Sequence, residues 1–353
     1  MARRSSPELV PALPVLGLFE SGRTTPLRLG ITLALAMIGL RLVVLSAFGR
    51  LHLQTGDEAT PLDLREARIG LVLALAIGYG PAAYGWGIRS LRAALDALRP
   101  AFGRDLRPLD ETAAQAGLMR PGARRLWIAI GLGIAFGAPF LVDRNPALYL
   151  DPRYWRPETF LNWVQLPFVG CFLTCTLRSL WEDAQRLSRV AEKLPKIDLL
   201  DARALAPFGR QALRIALLTV MVPSIFAILV SDHGFAEVVG ALAVSSAVVA
   251  TTAFLLPVRG IHRRIVQEKE AELTRVRAAL RGDAAALEKS GLAAFRGRAT
   301  AADLLAYEAR IEAVREWPFD VPTLARFATF LLLPLGSWLG GALVEHVVSR
   351  ILD

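Results

Sequence analysis

Long apolar runs recur along the chain, separated by shorter polar stretches. Seven of them approach the roughly 20 residues that the hydrocarbon core of a bilayer requires. They run from Leu27 to Phe48, Ile69 to Ile88, Leu126 to Val142, Phe160 to Leu180, Ile215 to Val230, Val238 to Pro257 and Phe327 to Val344, the third and fifth being the shortest. Hydrophobic residues form 54% of the 353 positions, spread along the whole length and not gathered into the amphipathic periodicity of soluble domains. The pattern predicts an all-α, polytopic membrane protein with seven transmembrane helices and a cytoplasmic helical layer.

The basic residues between the runs fall on alternate sides. With the N-terminus inside, 33 of the 41 Lys and Arg residues are cytoplasmic, seven lie outside, and Arg41 alone sits within a span. This asymmetry satisfies the positive-inside rule and predicts a bacterial inner-membrane protein, multi-pass, with a cytoplasmic N-terminus and an extracytoplasmic C-terminus. Tyr149, Tyr154 and Trp155 are placed as outer aromatic anchors, and Trp181 and Trp317 as inner ones. The net charge of +9 then belongs to a face beside anionic lipid, and no nucleic-acid partner is needed to explain it.

The chain divides accordingly. Residues 1–26 form a cytoplasmic or interfacial N-terminus, whose apolar run Pro11 and Pro14 interrupt and which no small-residue cleavage site follows. Residues 27–258 carry six helices with cytoplasmic loops 89–125 and 181–214, residues 259–322 a cytoplasmic helical hairpin, and residues 323–353 the seventh helix and an outer C-terminus. In the first loop Leu91, Leu95 and Leu98 predict a short amphipathic helix. In the second, Trp181 to Leu194 continues the fourth helix, Pro195 stops it, and Asp201 to Arg214 leads into the fifth. Beyond the bend at Pro257 and Gly260, Ile261 to Arg281 reads as a helix with Val266, Leu273, Val276 and Leu280 on its apolar stripe. Its charged face carries Glu268, Lys269, Glu270, Glu272 and Arg275. After a glycine-rich break, Leu304, Tyr307, Ile311 and Val314 form a second stripe behind an N-cap at Thr300 with Asp303 near it. The two stripes predict an antiparallel hairpin, or helices that associate with copies of themselves into a homo-oligomer.

Chemistry inside the spans is sparse. Arg41 is the only deep charge, either buried against an acid such as Glu345 or Asp143 or snorkelling to the outer surface. Ile77-Gly78-Tyr79-Gly80-Pro81 is similar to a potassium-channel filter, but Ala76 holds the filter's Thr position and the stretch continues as one span, so a Gly/Pro-softened helix is expected. Gly133/Gly137 and Gly336/Gly340 have the spacing that lets helices approach closely. Asn162, Gln165, Thr174 and Thr176 in the fourth span, and Ser245, Ser246, Thr251 and Thr252 in the sixth, form polar strips for interhelical hydrogen bonds or a wet cavity. Pro81, Pro139, Pro167, Pro223 and Pro334 put a kink into five spans. Cys171 and Cys175 share a helix face as two packed thiols. No span interior holds a histidine or carboxylate, which argues against an enzyme, a metal site, a cofactor and proton- or sodium-coupled transport. His262, Lys269 and Glu272 are the cytoplasmic residues nearest to a constellation.

The segments Pro257 to Leu273, Lys196 to Arg214 and Glu316 to Phe327, with Pro334 to Glu345, resemble an uncharacterised family of bacterial multi-pass membrane proteins. The topology is similar to that of the insect olfactory and gustatory receptor channels. That resemblance implies four subunits meeting at a cytoplasmic anchor and a pore lined by the seventh helix, although the receptors' Gln-Phe signature is missing. On it, an oligomeric channel-like protein is expected, with Thr329 and Ser337 as polar pore contacts and Pro334, Gly336 and Gly340 as gating positions. The alternatives are a membrane-anchored sensor or scaffold that recruits a cytoplasmic partner, and a small-solute transporter.

Overall fold

The computed structural model describes residues 10–22, 24–48, 61–119, 128, 131, 157–195, 197–200, 202–228, 236–293, 298–319 and 321–332. The fold is all-α apart from one two-residue ladder. Its long helices are α2 (Pro26–Ala47), α3 (Pro61–Phe102), α5 (Pro157–Glu192), α6 (Ala206–Phe226), α7 (Ala236–Leu255) and α8 (Arg259–Leu280). The shorter ones are α1 (Leu16–Glu20), α4 (Arg107–Gln115), α9 (Ala301–Glu312) and α10 (Val321–Leu331). Strands β1 (Val10–Pro11) and β2 (Leu118–Met119) pair antiparallel.

Four stretches are long and apolar enough to cross a membrane: Pro26–Ala47, Ala67–Phe102, Phe160–Glu192 and Val244–Leu280. They correspond to the first, second, fourth and sixth expected spans. The third, Leu126 to Val142, lies outside the described residues except for positions 128 and 131, and the seventh is described only to Leu332. The fifth forms α6, a largely buried helix that carries Arg210 and Arg214 in its first turns. The fold therefore establishes four membrane-competent helices.

Helix α3 is the axis of the bundle. It packs against α2, α5 and α6, and 72% of its apolar window is buried, against 11% for peripheral α2. Close approach depends on missing side chains. A Cβ on Gly78 would stand 2.4 Å from the carbonyl oxygen of Gly30 on α2, and one on Gly80 would stand 2.8 Å from Phe172 Cβ on α5. The Gly-Tyr-Gly stretch is thus an unbroken helix used for packing, as expected. Polar links reinforce the seams: Thr176 Oγ1 donates to Gly80 O (2.9 Å), Tyr79 to Leu218 O, and Gln211 Nε2 to Ser90 Oγ (3.1 Å). Interhelical bonding is the use the structure finds for Asn162 and Thr176 of the expected polar strip.

Several local expectations are revised. Leu91, Leu95 and Leu98 belong to no separate helix, because α3 runs on to Phe102 and buries all three against α5 and α6. On α8 the buried stripe is Ile261, Ile265, Glu272 and Val276, while Val266 and Leu273 are half-buried. The stripe is rotated because Gly260, at the start of α8, lies against the backbone of Ser188 on α5 and sets the face presented inward. The N-terminal segment is docked on the bundle: Leu13 and Phe19 are buried, and the Phe19 ring occupies the space that a Cβ on Gly85 would fill. Trp181 and Trp317 are both partly exposed at this end of the bundle.

Helices α8 and α9 pack together as a hairpin. Helix α9 lies antiparallel on α8, with Leu304 against Val276 and Tyr307 against Glu272. Thr300 and Asp303 make a reciprocal capping box, and Asp283 caps the 3-10 turn Ala284–Lys289. One hydrophobic core joins the ends of α3, α5, α6 and α7 to the start of α8 and to Leu13, Phe19 and Phe319. The described residues of 10–22, 89–119, 181–205 and 256–319 thereby gather at one end of the bundle.

The α5–α8 contact generates a test. A Cβ on Gly260 would fall 1.9 Å from Ser188 O, whereas one on Gly39 meets nothing within 4 Å. Gly260→Ala is expected to cost about 1–3 kcal/mol through forced separation of the helices, while Gly39→Ala is neutral or stabilising by up to about 1 kcal/mol. Thermal unfolding of the detergent-solubilised protein measures both.

Candidate functional site

Of the expected pore positions, Thr329 alone lies within the described residues. It is exposed, and its hydroxyl donates to Ala325 O of its own helix (3.0 Å). Pro334, Gly336, Ser337 and Gly340 lie outside them, as do Gly133, Gly137, Pro139, His52, His233, His346, Asp143 and Glu345. Helix α10 rests on the edge of the bundle against α6 and α7, with Phe327 stacked on Phe254 at 4.2 Å between ring centres.

Arg41 is buried. Its guanidinium donates to Asn162 Oδ1 on α5 at 2.7 Å and fills the space left by Gly70 on α3, where a Cβ would stand 1.9 Å from the Arg41 nitrogen. Asn162 is itself fully buried, and Gln165 lies one turn further along α5 with its Oε1 unpartnered among the described residues. The deep charge is therefore fixed by an amide on another helix and not drawn to the surface. Cys171 and Cys175 are free, half-buried thiols on α5.

At the gathered end, the three residues nearest to a constellation in the sequence have separate tasks. The His262 ring stacks on Trp317 (4.0 Å, 9°), and its Nδ1 lies 3.0 Å from Glu316 O, the geometry of a donated Nδ1–H. Lys269 Nζ donates to Val314 O (3.1 Å) and pairs with Glu316 (3.4 Å). Both thus hold down residues 314–319, the strap that leads from α9 to α10. Glu272 does not lie on a solvated face: it is buried where α8, the 284–291 turn and α9 meet. Its Oε1 accepts from Ser290 Oγ, Gly291 N (2.8 Å) and Tyr307 OH (3.0 Å), and its Oε2 from Arg275 (2.8 Å). Burial alone would raise its pKa, but these donors together outweigh burial and hold the carboxyl below the ordinary range.

A second buried carboxylate was not foreseen. Asp183 on α5 pairs with Arg186 at 2.6 Å and accepts from the backbone N–H of Gly117, while Arg186 also donates to Leu118 O. Gly117, at φ +77°, accepts from Tyr84 OH (2.9 Å) and Ala12 N (3.1 Å). The pair thereby ties α5, α3, β2 and the N-terminal segment into one knot. Asp183 and Arg186 are three apart just beyond an apolar span, and that spacing in an otherwise apolar face was the available signal. Among the described residues, no group of three or more His, Cys, Asp or Glu side chains is placed to hold a metal ion.

Beneath the strap lies a cavity of about 610 Å³, walled by the 197–210 segment, the start of α8, the strap and the first turns of α10. Leu199, Leu205 and Ile265 give it an apolar floor, Trp317 and Phe319 an aromatic side, and Arg210, Arg315 and Arg326 a basic rim. Comparison of the chain with protein-family models, with curated proteins and with solved structures finds no match in any of the three.

Two tests follow from these buried polar groups. Arg41→Leu and Asn162→Leu are each expected to cost about 1–3 kcal/mol, because each removes the buried, charge-assisted hydrogen bond between α2 and α5. The double variant should cost less than their sum by about 1 kcal/mol or more in a thermal-unfolding cycle, and additivity would contradict the contact. Asp183 sets a pH dependence. Burial pushes its carboxyl up to about 6 from 3.8, against the charge and hydrogen bond of Arg186 and the Gly117 N–H. The native state thus holds this proton more tightly than the unfolded chain, so the stability contributed by Asp183 falls as pH rises from about 4 to about 6 and is level above. The melting temperature of the wild type relative to Asp183→Asn should drop by several degrees across that interval and then stay constant.

Proposed function

We propose that the chain is a multi-pass protein of a bacterial inner membrane, with seven spans, a cytoplasmic N-terminus and an extracytoplasmic C-terminus, that assembles into a homo-oligomer of channel type. The charge asymmetry supports the orientation, together with the gathering of residues 10–22, 89–119, 181–205 and 256–319 at one end of the bundle. The outward display of Leu27, Leu35 and Val43 on α2 and of Val244 and Val248 on α7 supports contact with lipid.

The observation that carries the channel reading is the placement of α10. The centre of a single copy is filled by α3 and α6, whereas α10 stands at the edge, exposed along most of its length and seated on α6 and α7. A conducting path then lies between copies, bordered by the helix that begins at Val321 and carries Thr329. The hairpin of α8 and α9, laced by Arg277 with Glu308 (2.6 Å) and Glu312 (2.7 Å), is the anchor around which copies meet. The cavity beneath the strap favours a second reading, a sensor whose occupied site alters the contacts that the cytoplasmic layer offers a partner.

Mass determination in detergent and recording in planar bilayers decide the matter. A stable oligomer with single-channel currents that change on substitution of Thr329 is the expected outcome. A monomer, or an oligomer that carries no current under any applied voltage or tension, overturns the channel reading.

A further inference from the structure

The cavity beneath the strap combines an apolar floor with a basic rim. Arg210 comes from α6, Arg315 from the strap and Arg326 from α10, so three separate elements converge their cations on one rim. None of the three makes a hydrogen bond or ion pair among the described residues, although the neighbouring Arg275, Arg277 and Lys269 are all paired. Asp198, the one carboxylate on the wall among the described residues, accepts from Leu200 N within its own turn (2.9 Å). Guanidinium forks match phosphate oxygens in pairs, and three on one rim suit a phosphate that carries more than one free oxygen.

The rest of the wall is mostly apolar, with Thr323 as a further polar side chain, and under the orientation proposed above it faces the inner bilayer surface. Arg326 is followed at once by Phe327, the start of an apolar run, and Trp317 stands partly exposed beside it. A volume of about 610 Å³ takes a headgroup and the first carbons of its chains. Basic pockets between helices at the inner surface suit anionic lipid for the same electrostatic reason that polybasic segments gather there.

We propose that this cavity binds the phosphate-bearing headgroup of an anionic phospholipid of the inner leaflet, with Arg315 and Arg326 clamping the phosphate and Trp317 and Phe319 lining the path of the chains. The strap that His262 and Lys269 hold against α8 is then the lid of the site. The proposal rests on the membrane orientation proposed above, but it depends neither on conductance nor on the number of subunits. A silent monomer leaves it standing, and its own failure leaves the channel reading standing.

The test uses the full chain in an uncharged detergent, titrated with dioctanoyl phosphatidylglycerol, with dioctanoyl phosphatidylcholine and with inorganic phosphate, and read by melting temperature and by native mass spectrometry. Phosphatidylglycerol is expected to bind saturably, with the other two at least tenfold weaker. Arg315→Gln/Arg326→Gln should weaken it at least tenfold, and the double Lys variant, which keeps the charge and loses the forks, by less than the Gln variant. Arg210→Gln, a change at an exposed position, should weaken it severalfold without altering the melting temperature of the unliganded protein. Equal binding of phosphatidylcholine, or wild-type affinity in the Gln variants, overturns the site. Inorganic phosphate binding as tightly as phosphatidylglycerol overturns the lipid and identifies a soluble anion as the occupant.

Discussion

The structure turns on how a chain of long helices satisfies the backbone where it stops being helical. At Gly117 the chain leaves α4 with its peptide groups turned inward, and an unpaired buried amide or carbonyl there would cost as much as a lost hydrogen bond. The Asp183 carboxylate takes the Gly117 N–H, Tyr84 and Ala12 share its carbonyl, and Arg186 takes Leu118 O while neutralising Asp183. A buried ion pair is a poor source of net stability, since desolvation offsets most of its attraction. Its value here is register: it leaves one way for the N-terminal segment, β2, α3 and α5 to fit together.

The same device appears a second time in the hairpin. Glu272 gathers donors from α8, the 284–291 turn and α9 around one carboxylate, so the break between the helices closes without a separate apolar core of any size. Val276, Leu287 and Leu304 supply the small cluster beside it. Stacking of His262 on Trp317 and of Phe254 on Phe319 and Phe327 then carries the strap onto the bundle. Fixed polar contacts and aromatic stacks alternate along the route from α9 to α10, and the lined cavity is the space they leave.

The helices were legible in the sequence because each signal was local. Apolar length marked the spans, Pro195 ended α5, and Thr300 with Asp303 opened α9. What escaped was decided between distant residues. Asn162 lies 121 positions from Arg41, so no pattern near either could name the other, and the acids considered as partners lie outside the described residues. Glu272 and Asp183 each have a basic residue three positions on, which reads as an ordinary solvated pair until a second element covers it. The helix in loop 89–125 differs for the opposite reason: Leu91, Leu95 and Leu98 signal helix, but nothing local says that it never separates from the span before it. The cavity was invisible because its arginines come from three segments, each with many other basic residues.

Helix α3 has 42 residues without a break, about 63 Å at 1.5 Å per residue. It meets α2 at Gly30 and Gly78, where two backbones touch with no side chains between them, and it ends at Phe102 inside the core of the gathered end. Such a rod is a lever with its fulcrum at the glycine crossing. The arm from Gly78 to Phe102 measures about 36 Å, so a tilt of ~5° at the crossing moves its far end by about 3 Å. The far arm ends among Leu187, Phe208 and Ile261 in the shared core, so any change of angle at the glycine crossing and any repacking of that core are transmitted to each other through one continuous helix.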